Sequence, residues 1–155
     1  MTLAVGDRAP DFTLPSAGGT SVTLSSLLAK GPVVLFFYPK DDTPGCTVEA
    51  CRFRDSHEEF ARAGATVVGV SSDSVQSHEH FAQKHKLPMT LLSDQGAKVR
   101  ALYGVKTKLG FIPGRVTFVI DRAGAIRYVL DSQLRVEKHS LEALSVVREL
   151  SNATA

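Results

Sequence analysis

Residues 32–46 read PVVLFFYPKDDTPGC, and their pattern predicts a strand, a loop and the start of a helix. Residues 32–38 form a short apolar run bounded by turn residues, which is typical of a strand buried on both faces. Residues 39–45 are a polar loop with two prolines, and a helix is predicted to follow from Cys46. Because reactive groups gather beyond the carboxyl ends of such strands, the sequence predicts a functional site around Cys46.

The rest of the chain alternates strands with helices on either side of this stretch. Apolar runs and turn residues predict strands over residues 11–15, 21–24, 32–38, 65–71, 90–93, 116–121 and 126–130, and helices over residues 25–30, 46–63, 74–86, 95–103 and 136–150. The first two strands flank two glycines and predict an N-terminal β-hairpin. This order indicates an α/β fold with a mixed central sheet flanked by helices on both faces. It is compatible with a thioredoxin-like fold, although other three-layer folds share it.

The composition predicts one soluble globular domain over residues 1–155. Hydrophobic residues make up 43% of the chain and charged residues 22%, which argues against disorder. The formal net charge of +2 is too small to indicate a nucleic-acid partner. No apolar stretch approaches the roughly 20 residues of a membrane-spanning helix, so we expect no membrane association. The first ten residues lack an apolar segment, and we therefore expect no targeting peptide and a cytoplasmic protein.

Cys46 and Cys51 are the only cysteines in the chain. Two thiols are too few for a disulfide-stapled secreted fold, and the Cys-x4-Cys spacing differs from the Cys-x2-Cys of a zinc ribbon or a thioredoxin. From the count alone, two inert buried thiols are an alternative. The position of Cys46 at the start of a helix favours chemistry, because free backbone N–H groups and the helix dipole stabilise a thiolate there.

The spacing around Cys46 resembles that of a known family. Pro39, Thr43 and Cys46 match the Pro-x3-Thr-x2-Cys signature of the peroxiredoxins. Residues 43–51, TPGCTVEAC, are similar to those of the atypical two-cysteine subgroup called peroxiredoxin Q or bacterioferritin comigratory protein. The resemblance extends over residues 5–150, which is nearly the whole chain.

The resemblance implies a thiol peroxidase on a thioredoxin-type fold that needs no cofactor. Cys46 matches the peroxidatic cysteine, whose thiolate would attack hydrogen peroxide or an organic hydroperoxide and become a sulfenic acid. Cys51 matches the resolving cysteine, which would form an intramolecular disulfide with Cys46. A thioredoxin or similar dithiol donor would then reduce that disulfide. The family further implies a role in antioxidant defence and redox homeostasis and, since the resolving cysteine lies in the same chain, a monomer.

Three polar residues are expected to assist Cys46. The Thr43 hydroxyl both donates and accepts hydrogen bonds and would align the peroxide O–O bond. The resemblance places Arg115 beside the pocket, where its guanidinium would stabilise the thiolate and the leaving oxygen; a solvated arginine at a strand end is the alternative. Glu49 lies three residues after Cys46, near the same helical face. The family has a glutamate there that holds the arginine, whereas a surface glutamate would suit the helix dipole nearly as well.

Two loop residues are expected to shape the substrate pocket. Pro39 lacks an N–H group, stiffens the loop and would shield Cys46 from water. Gly45 has no side chain, so backbone donors would approach the substrate closely.

The histidines do not indicate a metal site. Two of them, His78 and His80, would lie about 200° apart on a helix, which is poor for chelation. We interpret all five as surface or helix-face residues; they are His57, His78, His80, His85 and His139.

Two other functions stay open. A disulfide oxidoreductase acting on proteins would normally carry the Cys-x2-Cys pair, which is absent. A redox-sensing or thiol-metal binding module would consume peroxide stoichiometrically or retain zinc. The sequence favours the peroxidase, because Thr43 and Arg115 give the Cys46 nucleophile two kinds of polar support.

Overall fold

The computed structural model describes residues 2–105, 114–133 and 135–154, which form a five-stranded mixed sheet, a separate two-stranded hairpin and six helices. The strands are β1 (Thr13–Pro15), β2 (Ser21–Thr23), β3 (Val33–Phe37), β4 (Thr66–Ser71), β5 (Thr90–Ser93), β6 (Val116–Ile120) and β7 (Ile126–Asp131). The helices are α1 (Leu24–Leu28), α2 (Pro44–Asp55), α3 (His57–Arg62), α4 (Val75–His85), α5 (Lys98–Leu102) and α6 (Val136–Thr154).

The apolar run of the opening stretch is the central strand of the main sheet. The strand order is β5-β4-β3-β6-β7, with β3 parallel to β4 and antiparallel to β6. All five residues of β3 are fully buried. Phe37 is paired with Val116, so the carboxyl end of β3 lies beside the beginning of β6. This register brings the loop after β3 next to Arg115, the residue before β6.

Helices cover both faces of the main sheet. Successive residues of a strand point to opposite faces, and β3 therefore contributes to two cores. Leu35 and Phe37 pack in a core with α1 and α5, whereas Val34 and Phe36 pack in a core with α2, α3, α4 and α6. The predicted mixed sheet with helices on both faces and an N-terminal hairpin is confirmed.

The predicted helix over residues 46–63 is wrong in its extent. Helix α2 begins two residues earlier, since Pro44 occupies the first helical turn, where a missing N–H group costs nothing. Ser56, with φ −99° and ψ 8°, leaves the helical conformation and separates α2 from α3. The predicted single helix is therefore two helices that meet at Ser56.

The other helices also differ from their predicted bounds, α1 and α4 by one or two residues and α5 and α6 by more. Helix α5 starts at Lys98, later than the predicted residue 95, because Ala97 adopts a left-handed conformation with φ 57°. Helix α6 continues to Thr154 because no glycine or proline follows the predicted end at residue 150. Residues 106–114 contain glycine and proline and are expected to form a loop between the predicted helix over residues 95–103 and the predicted strand over residues 116–121; all of them except Gly114 lie outside the described residues. Among the described helices, none is long and apolar enough to cross a membrane.

An aromatic stack anchors α2 to the sheet. The rings of Phe36 on β3 and Phe53 on α2 lie 4.4 Å apart at an interplanar angle of 13°. Gly69 on β4 makes room for this stack, since a Cβ atom at position 69 would lie 2.7 Å from Cζ of Phe36 and 2.9 Å from Cδ2 of Leu91. Both neighbours are almost fully buried and have little room to move.

Replacing Gly69 by alanine is therefore expected to overpack the core and lower the free energy of unfolding by about 1–3 kcal/mol. Urea or thermal unfolding of the variant would measure the loss. Gly18→Ala is the matched control, because the nearest heavy atom to a Cβ there is 4.0 Å away, and its effect should stay within about 0.5 kcal/mol. Equal stabilities for the two variants would contradict this account of the stack.

Candidate active site

Cys46 lies in the first turn of α2, directly after the loop that follows β3. It is 1% exposed and packs in the same core as Phe36 and Phe53. The first-turn position places its sulfur near the positive end of the helix dipole. Cys51 is half-buried on the same helix, and both thiols are free.

The Arg115 guanidinium joins Cys46 to a buried carboxyl group. Its Nη2 donates to Sγ of Cys46 at 3.5 Å, and its Nη1 donates to Oε1 of Glu49 at 2.8 Å. Arg115 is 5% exposed and Glu49 is 0% exposed, so neither is the solvated residue that the alternative interpretations described. A Cβ at position 45 would lie 3.0 Å from Nη2, so Gly45 lets the guanidinium reach the first turn of α2.

Burial dominates the electrostatics of Glu49. Removal from water raises the pKa of its carboxyl group to about 7, and the attraction and hydrogen bond of Arg115 offset only part of that effect. The second carboxyl oxygen, Oε2, is buried and makes no hydrogen bond with any residue that the structure describes. Near neutral pH, this group therefore takes up or releases a proton beside the Arg115 guanidinium.

Thr43 and Pro39 lie in the loop between β3 and α2. Thr43 precedes α2, is half-buried, and donates its hydroxyl hydrogen to the carbonyl oxygen of Lys40 at 2.8 Å. This bond fixes the hydroxyl direction and leaves its lone pairs free to accept from a ligand. Pro39 is half-buried directly after β3.

Arg100 is a site residue that sequence reasoning missed. Its Nη1 donates to the carbonyl oxygen of Gly114 and its Nη2 to that of Tyr38, both at 2.7 Å. Arg100 thereby ties the end of β3 to the chain that enters β6. Burial lowers the pKa of Arg100, while the charges of Asp94 and Cys46 raise it, so Arg100 is a second cation within electrostatic range of the thiol. No sequence signal separated it from a surface arginine on a short helix.

A buried network holds the loop from the other side, through α4. The Asp41 carboxylate accepts from the Tyr38 hydroxyl at 2.6 Å and from the Ser77 hydroxyl at 2.8 Å, and it lies 2.7 Å from Nδ1 of His78. Nε2 of His78 lies 2.9 Å from the carbonyl oxygen of Leu92. The loop is therefore fixed to both α4 and β5. Asp41 and His78, with Asp73, also form the one group of possible metal-ligand atoms within the described ranges, but these atoms are already hydrogen-bonded.

Of the five histidines interpreted as surface or helix-face residues, His78 on α4 and His139 on α6 are not at the surface, since both are 0% exposed. Each buried ring finds partners for both nitrogens: His78 contacts Asp41 and Leu92, and His139 contacts a threonine hydroxyl and a backbone carbonyl. A satisfied imidazole tolerates burial. The other three histidines are at least partly exposed.

Comparison with known proteins places this site in a family. The profile of the AhpC/TSA family matches residues 5–129. The chain is 49% identical over 146 residues to peroxiredoxin Q of Triticum aestivum, covering 94% of this chain and 67% of that one, and 51% identical over 146 residues to that of Sedum lineare, covering 94% and 78%. Both relatives are chloroplastic proteins.

Solved structures agree with the sequence relatives and confirm the thioredoxin-like class of the fold. The peroxidoxin BcpB of Mycobacterium tuberculosis superposes with a TM-score of 0.90 at 43% identity, covering 96% of this chain and 98% of that one. A bacterioferritin comigratory protein of Xanthomonas campestris, studied for its alkyl peroxide reduction, superposes with a TM-score of 0.82 at 33% identity, covering 90% and 92%.

Replacing Glu49 by glutamine is expected to change how stability depends on pH. The pKa of Glu49 is raised from an ordinary value of 4.5 to about 7. Between these values the folded chain keeps a proton that the unfolded chain has released, so wild-type stability falls as the pH rises. Relative to Glu49→Gln, the wild type should lose about 3 kcal/mol across this window.

Urea unfolding of both proteins at pH values from 4.5 to above 7 would measure this difference. Glu79→Gln on α4 is the control, since Glu79 is exposed and its substitution should give a difference that hardly changes with pH. A pH-independent difference between the wild type and Glu49→Gln would contradict the assignment.

Proposed function

Since the chain belongs to the AhpC/TSA family and to its peroxiredoxin Q branch, we propose that it is a thiol peroxidase in which Cys46 reduces hydrogen peroxide and organic hydroperoxides. The observation that carries the proposal is the contact of Cys46 Sγ with the buried Arg115 guanidinium at 3.5 Å. A buried cation beside a thiol at a helix N-terminus favours the thiolate, which is the reactive nucleophile.

In the proposed first step the Cys46 thiolate attacks the hydroxyl oxygen of a hydroperoxide. A sulfur–oxygen bond forms, the O–O bond breaks, and Cys46 becomes a sulfenic acid. The sulfur loses two electrons to the peroxide, and the leaving oxygen takes up a proton to give an alcohol, or water from hydrogen peroxide. Negative charge moves from sulfur to the leaving oxygen, so Arg115 stabilises both ends of the reaction.

The loop residues would bind and align the peroxide. Thr43 has hydroxyl lone pairs free to accept a hydrogen bond from the hydroperoxide O–H group. Pro39 would restrict water access, and Gly45 would give the peroxide close approach to the backbone at the start of α2. Glu49 would hold Arg115 in position.

In the proposed second step Cys51 resolves the sulfenic acid. Its sulfur attacks Cys46, the sulfenic hydroxyl leaves as water together with the thiol proton, and an intramolecular disulfide forms. A thioredoxin or similar dithiol donor would return two electrons and two protons and be oxidised in turn. This cycle would serve antioxidant defence and redox homeostasis.

The burial of Cys46 supports the peroxidase over a protein disulfide oxidoreductase. At 1% exposure the sulfur cannot meet a disulfide of a folded partner, whereas a small peroxide needs only a narrow entrance. The assignments to one domain over residues 1–155, to a monomer and to the cytoplasm stay predictions, and the plant relatives are chloroplastic.

Cys46→Ser is expected to lower peroxidase activity by several orders of magnitude, because a serine hydroxyl is scarcely ionised near neutral pH. Cys51→Ser should still consume about one peroxide per chain in a burst and then stop. Peroxide-dependent NADPH oxidation, coupled to thioredoxin and its reductase, would measure both. Substantial turnover by Cys46→Ser would exclude the proposal, and sustained turnover by Cys51→Ser would exclude Cys51 as the resolving residue.

Disulfide formation is expected to unwind part of α2. The two cysteines are five positions apart on the helix, a rise of about 7.5 Å, which puts their Cα atoms roughly 8–9 Å apart. A disulfide needs Cα atoms within about 7 Å. After Cys51, α2 is anchored to the rest of the protein by the stack of Phe53 on Phe36 and by Arg54, whose Nη1 donates to the carbonyl oxygen of His85 at 2.8 Å.

After stoichiometric peroxide, amide hydrogen exchange should therefore accelerate in residues 45–54 and return to its starting rate with dithiothreitol. Exchange in β3 should stay unchanged. Cys51→Ser, treated in the same way, is the control that oxidises without forming the bridge. Identical exchange in the oxidised and reduced wild type would rule out local unwinding.

A further inference from the structure

The Glu49 carboxyl group has one partner that the proposed mechanism does not use, His139. Glu49 Oε1 accepts from Arg115, but Oε2 lies 3.5 Å from Nδ1 of His139 and makes no hydrogen bond to any part of the chain that the structure describes. Both side chains are 0% exposed. Buried polar atoms normally have a hydrogen-bond partner, so the protonation states of Glu49 and His139 decide whether this contact is favourable.

The partners of His139 fix which of its nitrogens carries a hydrogen. Nε2 lies 2.9 Å from the carbonyl oxygen of Ser132, and because a carbonyl only accepts, Nε2 must be the donor. Burial lowers the pKa of His139 to about 4, so the ring is neutral near physiological pH. Nδ1 then carries a lone pair and accepts from the hydroxyl of Thr117 at 2.7 Å.

Glu49 thus faces an acceptor on the side of Oε2. The Nδ1 lone pair already accepts from Thr117, so His139 offers Oε2 neither a hydrogen nor a free lone pair. An ionised carboxylate would place negative charge against this acceptor without a compensating donor, whereas a protonated carboxyl group removes that charge. Charged and titratable groups surround the pair: Cys46 on α2, Arg115 directly before β6, Asp131 on β7 and Glu142 on α6. Of these, only Arg115 is a cation, and it contacts Oε1 rather than Oε2.

We propose that His139 is a positioning residue that keeps Glu49 protonated in the reduced enzyme, so that the Arg115 guanidinium acts on Cys46 instead of being neutralised by a carboxylate. Thr117 and Ser132 hold the ring in the tautomer that this role needs. A neutral Glu49 still accepts the hydrogen bond of Nη1 through Oε1 and therefore still fixes the guanidinium in place.

Cys46 and Glu49 share the single positive charge of the Arg115 guanidinium. Arg115 is the hydrogen-bonding partner of both Cys46 and Glu49. With Glu49 neutral, the thiolate is the only anion that contacts the guanidinium among the residues that the structure describes. With Glu49 ionised, two buried anions share one contacting cation, which disfavours the thiolate. Alkaline pH should therefore weaken the stabilisation of Cys46 as Glu49 loses its proton.

Spectroscopy of the reduced wild type tests the proton assignment directly. About one pH unit below the Glu49 pKa, infrared spectra should show the carbonyl stretch of a protonated buried carboxyl group that Glu49→Gln lacks. Nitrogen-15 spectra of the histidine rings should show His139 neutral, with hydrogen on Nε2. Absence of the carboxyl band, or a His139 ring protonated on both nitrogens, would overturn the proposal.

A double-mutant cycle tests the effect on Cys46. In His139→Asn the amide can donate to Oε2 and favour ionised Glu49, which should raise the midpoint of the Cys46 thiolate titration by about one unit, a tenfold smaller thiolate fraction. In the Glu49→Gln background the same substitution should not move the midpoint. Equal shifts in the two backgrounds would mean a merely structural role and overturn the proposal. His80→Asn, at an exposed histidine of α4, is the control.

The proposal rests on the proposed function of Cys46, yet the two fail separately. The infrared and nitrogen measurements use no peroxide and remain decisive if His139→Asn does not fold. Loss of the peroxidase assignment through an active Cys46→Ser would leave the protonation of Glu49 untouched.

Discussion

The buried guanidinium of Arg115 is the constraint on which the site depends. A cation removed from water is tolerated only where anions or hydrogen-bond acceptors compensate it, and at 5% exposure Arg115 has Cys46 and Glu49 for this purpose. Both groups come from the first turns of α2, so the helix must approach β6 closely. The missing side chain of Gly45 permits that approach, since a Cβ there would lie 3.0 Å from the guanidinium.

The sheet supplies the rigid frame for this contact. Antiparallel pairing of β3 with β6 brings the end of one strand to the start of the other, and Arg100 bridges the two chain segments through carbonyl oxygens at 2.7 Å. On the opposite side the Asp41–His78 contact fixes the loop to α4. The loop before Cys46 is therefore attached to the protein on both sides, which would hold the sulfur in a fixed orientation.

The sequence and its family resemblance predicted the sheet, the loop before Cys46, and the positions of Arg115 and Glu49, but not the other buried polar groups around them. The apolar run of β3 and the spacing of Thr43 and Cys46 are local patterns. Each lies within one strand or one loop and can be recognised there without knowledge of the rest of the fold. Arg100, His78 and His139 are polar residues on helices, and a single sequence does not tell which polar side chain turns inward when its partner is a backbone carbonyl or a distant carboxylate. Such partners are distant in sequence and meet only in the folded chain, so they cannot be predicted from the local spacing of residues.

The same charge compensation sets the energetic conditions of the proposed cycle. Glu49 lies between the two cysteines, inside the segment of α2 that must unwind for a disulfide to form, and Cys46 ceases to be an anion once it is oxidised. In that cycle, disulfide formation would remove both contacts that Arg115 makes with α2, and a buried cation that loses its partners is costly. This cost would oppose the disulfide and favour its reduction by a dithiol donor. The interaction proposed to stabilise the Cys46 thiolate would thus also favour the refolding of α2 after the disulfide is reduced.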